Sequence, residues 1–169
     1  MEIVNKVAQS GIITINLEHY YPEGGVTPFD LKDFLFKGLI LREKDFREGL
    51  AAVDWQQYDR KVLAIYCSAD AIIPQWAYML VAVYAAPHVQ ALFFGTPETV
   101  LGKYYDQVVD NLDTSAWEGQ RIVIKGCSDK PVPADAYVAL TRKLRPLAQS
   151  IMYGEPCSTV PLYKRKATK

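Results

Sequence analysis

Three cysteines, the only ones among 169 residues, carry the strongest chemical signal in the chain. Cys67 stands in "IYCSADAIIPQWAY" (65–78), Cys127 in "IKGCSDKPVPADAY" (124–137) and Cys157 in "CSTVPLY" (157–163). Each is followed by serine and then by proline and tyrosine; of only six serines, three hold these positions. A thiolate is both a metal ligand and a nucleophile. The serine can donate to sulfur or accept from turn N–H groups, and a helix opened by the next proline directs its positive end at the loop, so both favour thiolate. Three thiolates converging on zinc or an iron-sulfur cluster would leave one position for an exchangeable ligand. His19, Asp70, Asp129 and Glu155 are the candidates for a fourth ligand. The plainer reading makes each cysteine a small core side chain and each acid a turn former or helix cap.

Positioning three thiols together requires a particular scaffold. From residue 61 the chain alternates apolar runs, "KVLAIY" (61–66), "VQALFF" (89–94), "RIVIKG" (121–126) and "SIMYG" (150–154), with longer helical patterns. Continuous apolar strands separated by helices predict an α/β fold with a mostly parallel sheet buried on both faces. Pro74, Thr96-Pro97-Glu98 and Pro133 open the three intervening helices. The last, from Ala134 to about Arg145, puts Ala136, Leu140 and Leu144 on one face. A four-stranded half-Rossmann sheet of order 2-1-3-4 would make the strands before Cys67 and Cys127 neighbours, about 4.8 Å apart, flanking the switch point where open sheets bind ligands. Gly154-Glu155-Pro156 would then bring Cys157 over the same edge.

The first sixty residues are less regular. "GIITINLEHYY" predicts a strand, "YPEGGV" a turn, and "DLKDFLFKGLILREKDFREGLAAVDW" one or two amphipathic helices interrupted at Gly38. They are expected to form an irregular α+β cap (1–60) on the α/β core (61–163), with a basic tail (164–169), all in one domain.

Half the residues are apolar and 22% charged, which excludes disordered and fibrous classes. Nineteen basic residues balance nineteen acidic ones, so nothing general favours nucleic acid or a membrane surface as partner. The longest apolar stretch, "WAYMLVAVYAA" (76–86), is about half the length of a membrane span and predicts a buried helix. No secretory signal is visible, and the odd cysteine count argues against a disulfide framework; a cytoplasmic location is expected. The phosphate-cradling, dinucleotide, nucleophile-elbow and Cys-x-x-Cys motifs do not occur. No arginine follows Cys67 or Cys127 closely enough for a cysteine phosphatase loop, and the exposed-aromatic candidates Tyr20, Tyr21, Phe34 and Phe36 read as the underside of the cap.

"FDLKDFLFKGLILREKDFRE", "CSADAIIPQWAYMLV", "KGCSDKPVPADAYV" and "SIMYGEPCSTVPLYK" resemble the uncharacterised bacterial proteins grouped as domain of unknown function 2480. The resemblance covers nearly the whole chain. It implies no catalytic residue. It does imply an association with iron-sulfur cluster assembly, hence assembly proteins as partners and a metal or cluster role for Cys67, Cys127 and Cys157. Two other readings stay open beside that one: a thiol-dependent enzyme using one cysteine as nucleophile, and a scaffold or interaction module with structural cysteines. Oligomeric state is not readable.

Overall fold

A computed structural model describes residues 11–126, 129–155 and 157–168. The fold is α/β, as the alternation of strands and helices predicts, and contains a mostly parallel four-stranded sheet. Seven strands are present among the described residues: β1 (Ile12–Ile15), β2 (Val26–Asp30), β3 (Val62–Tyr66), β4 (Ala91–Phe94), β5 (Arg121–Ile124), β6 (Ser150–Glu155) and β7 (Ser158–Lys164). Among the described residues the α-helices are α1 (Glu43–Ala51), α2 (Gln75–Ala85), α3 (Pro97–Asp110) and α4 (Ala134–Leu144).

The strands divide differently from the expected 2-1-3-4 order. One sheet runs β1-β5-β6-β7, parallel except for β7, and the other runs β2-β3-β4, parallel throughout. The four predicted core strands are therefore shared two and two. The physical reason lies in the first sixty residues, which supply a strand to each sheet: β1 pairs with β5 and β2 with β3, occupying edges that a single sheet would have used to join the core strands. The switch point expected between the strands of Cys67 and Cys127 does not form. Pro28 hid β2 from pattern reading, because proline removes a ladder donor; it is accommodated because β2 is an edge strand.

Two compact units result. One comprises residues 22–104; the other joins 1–21 to 105–169. Within the first, α1 and α2 pack on the sheet through Phe29, Phe46, Leu50, Leu63, Ala77 and Val81, with Trp55 donating its indole N–H to the Leu50 carbonyl. Within the second, Ile122, Leu140, Leu144 and Ile151 are fully buried, and the buried Tyr105 donates its hydroxyl to the Leu17 carbonyl at 2.9 Å.

The two units repeat one plan, at a constant spacing of 59 residues (Asp54 to Asp113, Pro74 to Pro133, Gly95 to Gly154). Asp54 and Asp113 each accept the backbone N–H two residues on. Arg60 and Gly119 both take positive φ, and their N–H groups donate to His88 and Leu147 carbonyls, again 59 apart. Val62↔Ala91 pairing in one sheet becomes Arg121↔Ser150 in the other. Phe46 and Leu50 on α1 correspond to Tyr105 and Val109 on α3, all fully buried. The first strands match as well: Phe29-Asp30-Leu31 and Ile15-Asn16-Leu17 each end a strand with an Asx residue that caps a short 3-10 turn through a buried leucine.

Candidate functional site

The carboxyl ends of parallel strands are where α/β proteins present ligand-binding loops, because side chains there leave the sheet without a helix covering them. In the 22–104 unit that edge is built from Asp30, Cys67, Ser68 and Phe94, with Tyr78 on the first turns of α2. Asp30 closes β2 and holds the loop after β3. Its Oδ1 accepts from the Lys32 and Ser68 N–H groups, each at 3.0 Å, and its Oδ2 accepts from the Ser68 hydroxyl at 2.6 Å. Burial alone would raise the Asp30 carboxyl, but the Ser68 hydroxyl, the two backbone donors and the Lys32 charge prevail and lower it below the usual carboxylate range. The clasp fixes Ser68 and with it Cys67, whose thiol approaches the Ala69 carbonyl at 3.8 Å.

Tyr78 faces the same region. Burial first, then the charges on Cys67 and Asp30, push its phenol upward, so it is a protonated donor at neutral pH. Its ring meets Phe94 edge-on at 5.0 Å between centroids. Phe94 is 59% exposed, uncommon for so large an apolar ring at a strand end. Lys103 donates to the Phe94 carbonyl and places its ammonium 5.8 Å from the ring centre.

The repeat supplies an internal control. In the other unit Asn16 stands for Asp30, Gly126 for Cys67, Tyr137 for Tyr78 and Tyr153 for Phe94. Tyr137 and Tyr153 keep the edge-on contact, at 6.0 Å. Tyr153, however, lies over Gly126 and donates its hydroxyl to the Gly126 carbonyl at 3.0 Å. A Cβ at Gly126 would sit only 2.6 Å from the Tyr153 ring. Tyr153 thus covers Gly126. Phe94 has no hydroxyl to make such a bond, and its ring is 59% exposed against 39% for Tyr153. Gly126→Ala is accordingly expected to displace Tyr153 and to cost about 1–3 kcal/mol through overpacking, measured by urea unfolding; tyrosine ring resonances of Tyr153 that do not shift would contradict it.

Of the predicted ligand set, Cys67 and Cys157 fall among the described residues. Among the described residues no group of three or more His, Cys, Asp and Glu side chains could hold a metal ion. This overturns the expected metal or iron-sulfur centre, and with it the function in cluster assembly that rested on converging thiols. Cys67 is half-buried at the end of β3, and Cys157 is exposed in the turn between β6 and β7. Cys127 lies outside the described residues. Gly154-Glu155 opens an antiparallel hairpin at the end of β6: Gly154 takes φ +119°, and β7 returns along β6. Of the proposed fourth ligands, His19 is exposed with its Nε2 3.4 Å from Asn16 Nδ2, Asp70 and Asp129 are exposed, and Glu155 is half-buried at the end of β6. Asp129 contributes its backbone N–H, which donates to Glu18, in place of a ligand oxygen.

The Cys-Ser echo is itself one residue out of register. Pro74 and Pro133 are 59 apart but Cys67 and Cys127 are 60 apart, so the position equivalent to Cys67 is Gly126 and the one equivalent to Ser68 is Cys127. Sequence reasoning missed Asp30 and Phe94. The signal was present in the parallel between "TINLEHY" and "PFDLKDF", where an Asx residue before a leucine ends each first strand.

A family model described as "Protein of unknown function (DUF2480)" matches residues 1–165. No curated protein and no solved structure matches the chain. No helix among the described residues is long and apolar enough to cross a membrane.

Proposed function

The chain belongs to the DUF2480 family, whose function is unknown, and we propose that it is a ligand-binding protein whose site is the open carboxyl edge of β2-β3-β4. One observation supports this reading: in the repeated unit Tyr153 is tied by its hydroxyl over Gly126, whereas Phe94, beside a strand that ends in Cys67, has no such tie and is 59% exposed. In the duplicate the equivalent ring is anchored through its hydroxyl and is less exposed, 39% for Tyr153 against 59% for Phe94.

The groups at the edge select the ligand's chemistry. Phe94, held edge-on by Tyr78, offers an aromatic surface to a planar group. Ser68 has committed its only hydrogen to Asp30, so toward a ligand its oxygen acts as an acceptor. Tyr78 stays protonated and supplies a donor. A compact organic molecule with a planar face, a donor and an acceptor fits this set, and Cys67 is an apolar contact beside it. The reading favours the cytoplasm, where free thiols such as those of Cys67 and Cys157 persist.

Adenosine and tryptophan, both planar with donors and acceptors, serve as probes. At millimolar concentration either one is expected to shift the amide resonances of Ser68 and Gly95 and to leave Gly126 and Gly154 unmoved. Phe94→Ala should weaken binding about tenfold, as loss of one stacked ring does. The double variant Cys67→Gly, Phe94→Tyr copies the closed edge and should abolish binding while the thermal midpoint holds. Shifts spread equally over both edges, or no shift with either probe, would sink the proposal.

A further inference from the structure

A cavity of about 340 Å³ opens beside the edge strand β2 within the 22–104 unit. Phe29, Phe34 and Tyr58 give it aromatic walls. Asp33, Asp54 and Gln57 give it oxygen atoms, and among the described residues no lysine, arginine or histidine lines it. The cavity shares only the clasped Asp30 with the edge of Cys67 and Phe94. Its uncommitted polar atoms are mostly acceptors. Asp33 makes no hydrogen bond or ion pair among the described residues. Asp54 spends Oδ1 on the Gln56 N–H and keeps Oδ2. Gln57 donates to the Asp54 carbonyl at 2.9 Å, so its own oxygen is left to accept. Burial first, then the Asp33 charge, push the Tyr58 phenol upward, so a negative charge stands near that ring.

The end of a helix adds to the same polarity. Ala52 and Val53, which follow the last turn of α1, line the cavity, and unpaired carbonyls at a helix C-terminus attract positive charge. Helix α1 has no basic residue in its last turn. The duplicate meets this need from within: at the end of α3, Lys143 donates to the Val109 and Asp110 carbonyls at 2.7 Å each. The residue equivalent to Lys143 in the 22–104 unit is Tyr84, which stacks on Trp55. The acceptor wall is also particular to this unit, for His19 stands in the place of Asp33 and Ala116 in that of Gln57.

We propose that this cavity binds a guanidinium group carried on a short alkyl chain. A guanidinium is a donor-only group with five N–H bonds, which matches a wall of acceptors. It is planar and weakly hydrated, so it lies against aromatic rings at little cost. A bare metal ion does not match, because among the described residues no three His, Cys, Asp or Glu side chains converge to hold one. The volume is close to the lower limit of about 300 Å³ for small-molecule sites, room for one compact group.

Titration of the full chain with n-butylguanidinium, followed in amide correlation spectra, tests this against n-butylurea, a neutral molecule of similar shape. The guanidinium is expected to shift the amides of Asp33, Phe34, Val53 and Tyr58 and to bind about tenfold tighter than the urea or more. Asp33→Asn should weaken it about tenfold, and Asp33→Lys should abolish it by placing a cation in the cavity. Both variants should keep the thermal midpoint, since Asp33 is exposed. Acetyl-arginine methylamide distinguishes the source of the group. Binding as tight as that of n-butylguanidinium supports an arginine side chain of another protein, and its failure where n-butylguanidinium binds supports a free small molecule. Equal shifts from the guanidinium and the urea overturn the proposal, as does an Asp33→Lys variant that binds like the wild type.

Discussion

Phe46→Ala is expected to remove about 3–5 kcal/mol from the stability of the 22–104 unit, the largest effect of any single truncation proposed for this protein. The ring is fully buried on α1. It stands edge-on to Phe34 at 5.7 Å and to Trp76 at 5.9 Å, so truncation removes a large apolar group and two oriented aromatic contacts. The neighbouring rings are themselves locked: Phe29 stacks on Phe34 at 5.4 Å and on Trp55 at 5.3 Å, and Trp55 stacks on Tyr84 at 5.7 Å. Planar rings in mutual contact cannot slide inward to fill a hole as aliphatic chains can, which sets the cost toward the upper end of the range. Urea unfolding followed by tryptophan fluorescence reports it directly, because Trp55 and Trp76 belong to this cluster. Phe46→Leu keeps most of the volume and should cost less than about 1.5 kcal/mol. A loss under about 1 kcal/mol for the alanine variant would show that the cluster collapses freely, contrary to the ring geometry.

Asp30→Ala carries the second-largest expectation and bears on the proposed site. It deletes the acceptor for two backbone N–H groups and one hydroxyl, leaving Ser68 without its clasp. Losing hydrogen bonds to a charged acceptor is worth about 1–3 kcal/mol here, the groups being partly wet. Freeing the Ser68 loop also releases Cys67, so binding of the adenosine or tryptophan probe should fall with stability. The carboxyl is lowered in the folded protein, and the sign follows from that. Its contribution is fully present above the unfolded value near 3.8 and is lost as pH falls through the lowered folded value. The stability gap between wild type and Asp30→Ala should therefore be constant from neutral pH to about pH 5 and shrink below pH 4. Asp30→Asn retains one acceptor and should lie between the two at neutral pH while losing the acid dependence. A gap that widens on acidification would refute the assignment of Asp30 as an ionised clasp.

Much of the architecture is written locally. The run from Val62 to Ile65, buried at every position, announces a parallel strand by its unbroken apolar character. Pro74 and Pro133 mark helix starts within one residue, and Thr96 caps α3 through the Thr99 N–H as its position before Pro97 predicts. Ala136, Leu140 and Leu144 are buried, as their spacing requires. These features depend on residues within one turn or one strand of each other, so periodicity and capping suffice to find them.

Strand neighbours were not legible, because partner choice is settled by contacts far apart in the chain. Nothing near "KVLAIY" says that its free edge will be taken by Val26–Asp30, a segment with proline in its middle. Once β1 and β2 claimed those edges, the single sheet divided and the thiol convergence deduced from it lost its premise. The doubled Cys-Ser phrase was real as a record of duplication and misleading as a guide to geometry, for the loop carrying it slipped by one residue while the strands and helices on either side held register. Sequence alone determined the α/β class and the helix starts at Pro74, Pro97 and Pro133, each a short-range property of the chain. Tertiary structure decided which strand pairs with which, and that Tyr153 lies over Gly126 while Phe94 keeps an exposed ring, since both depend on packing between strands that no local pattern encodes.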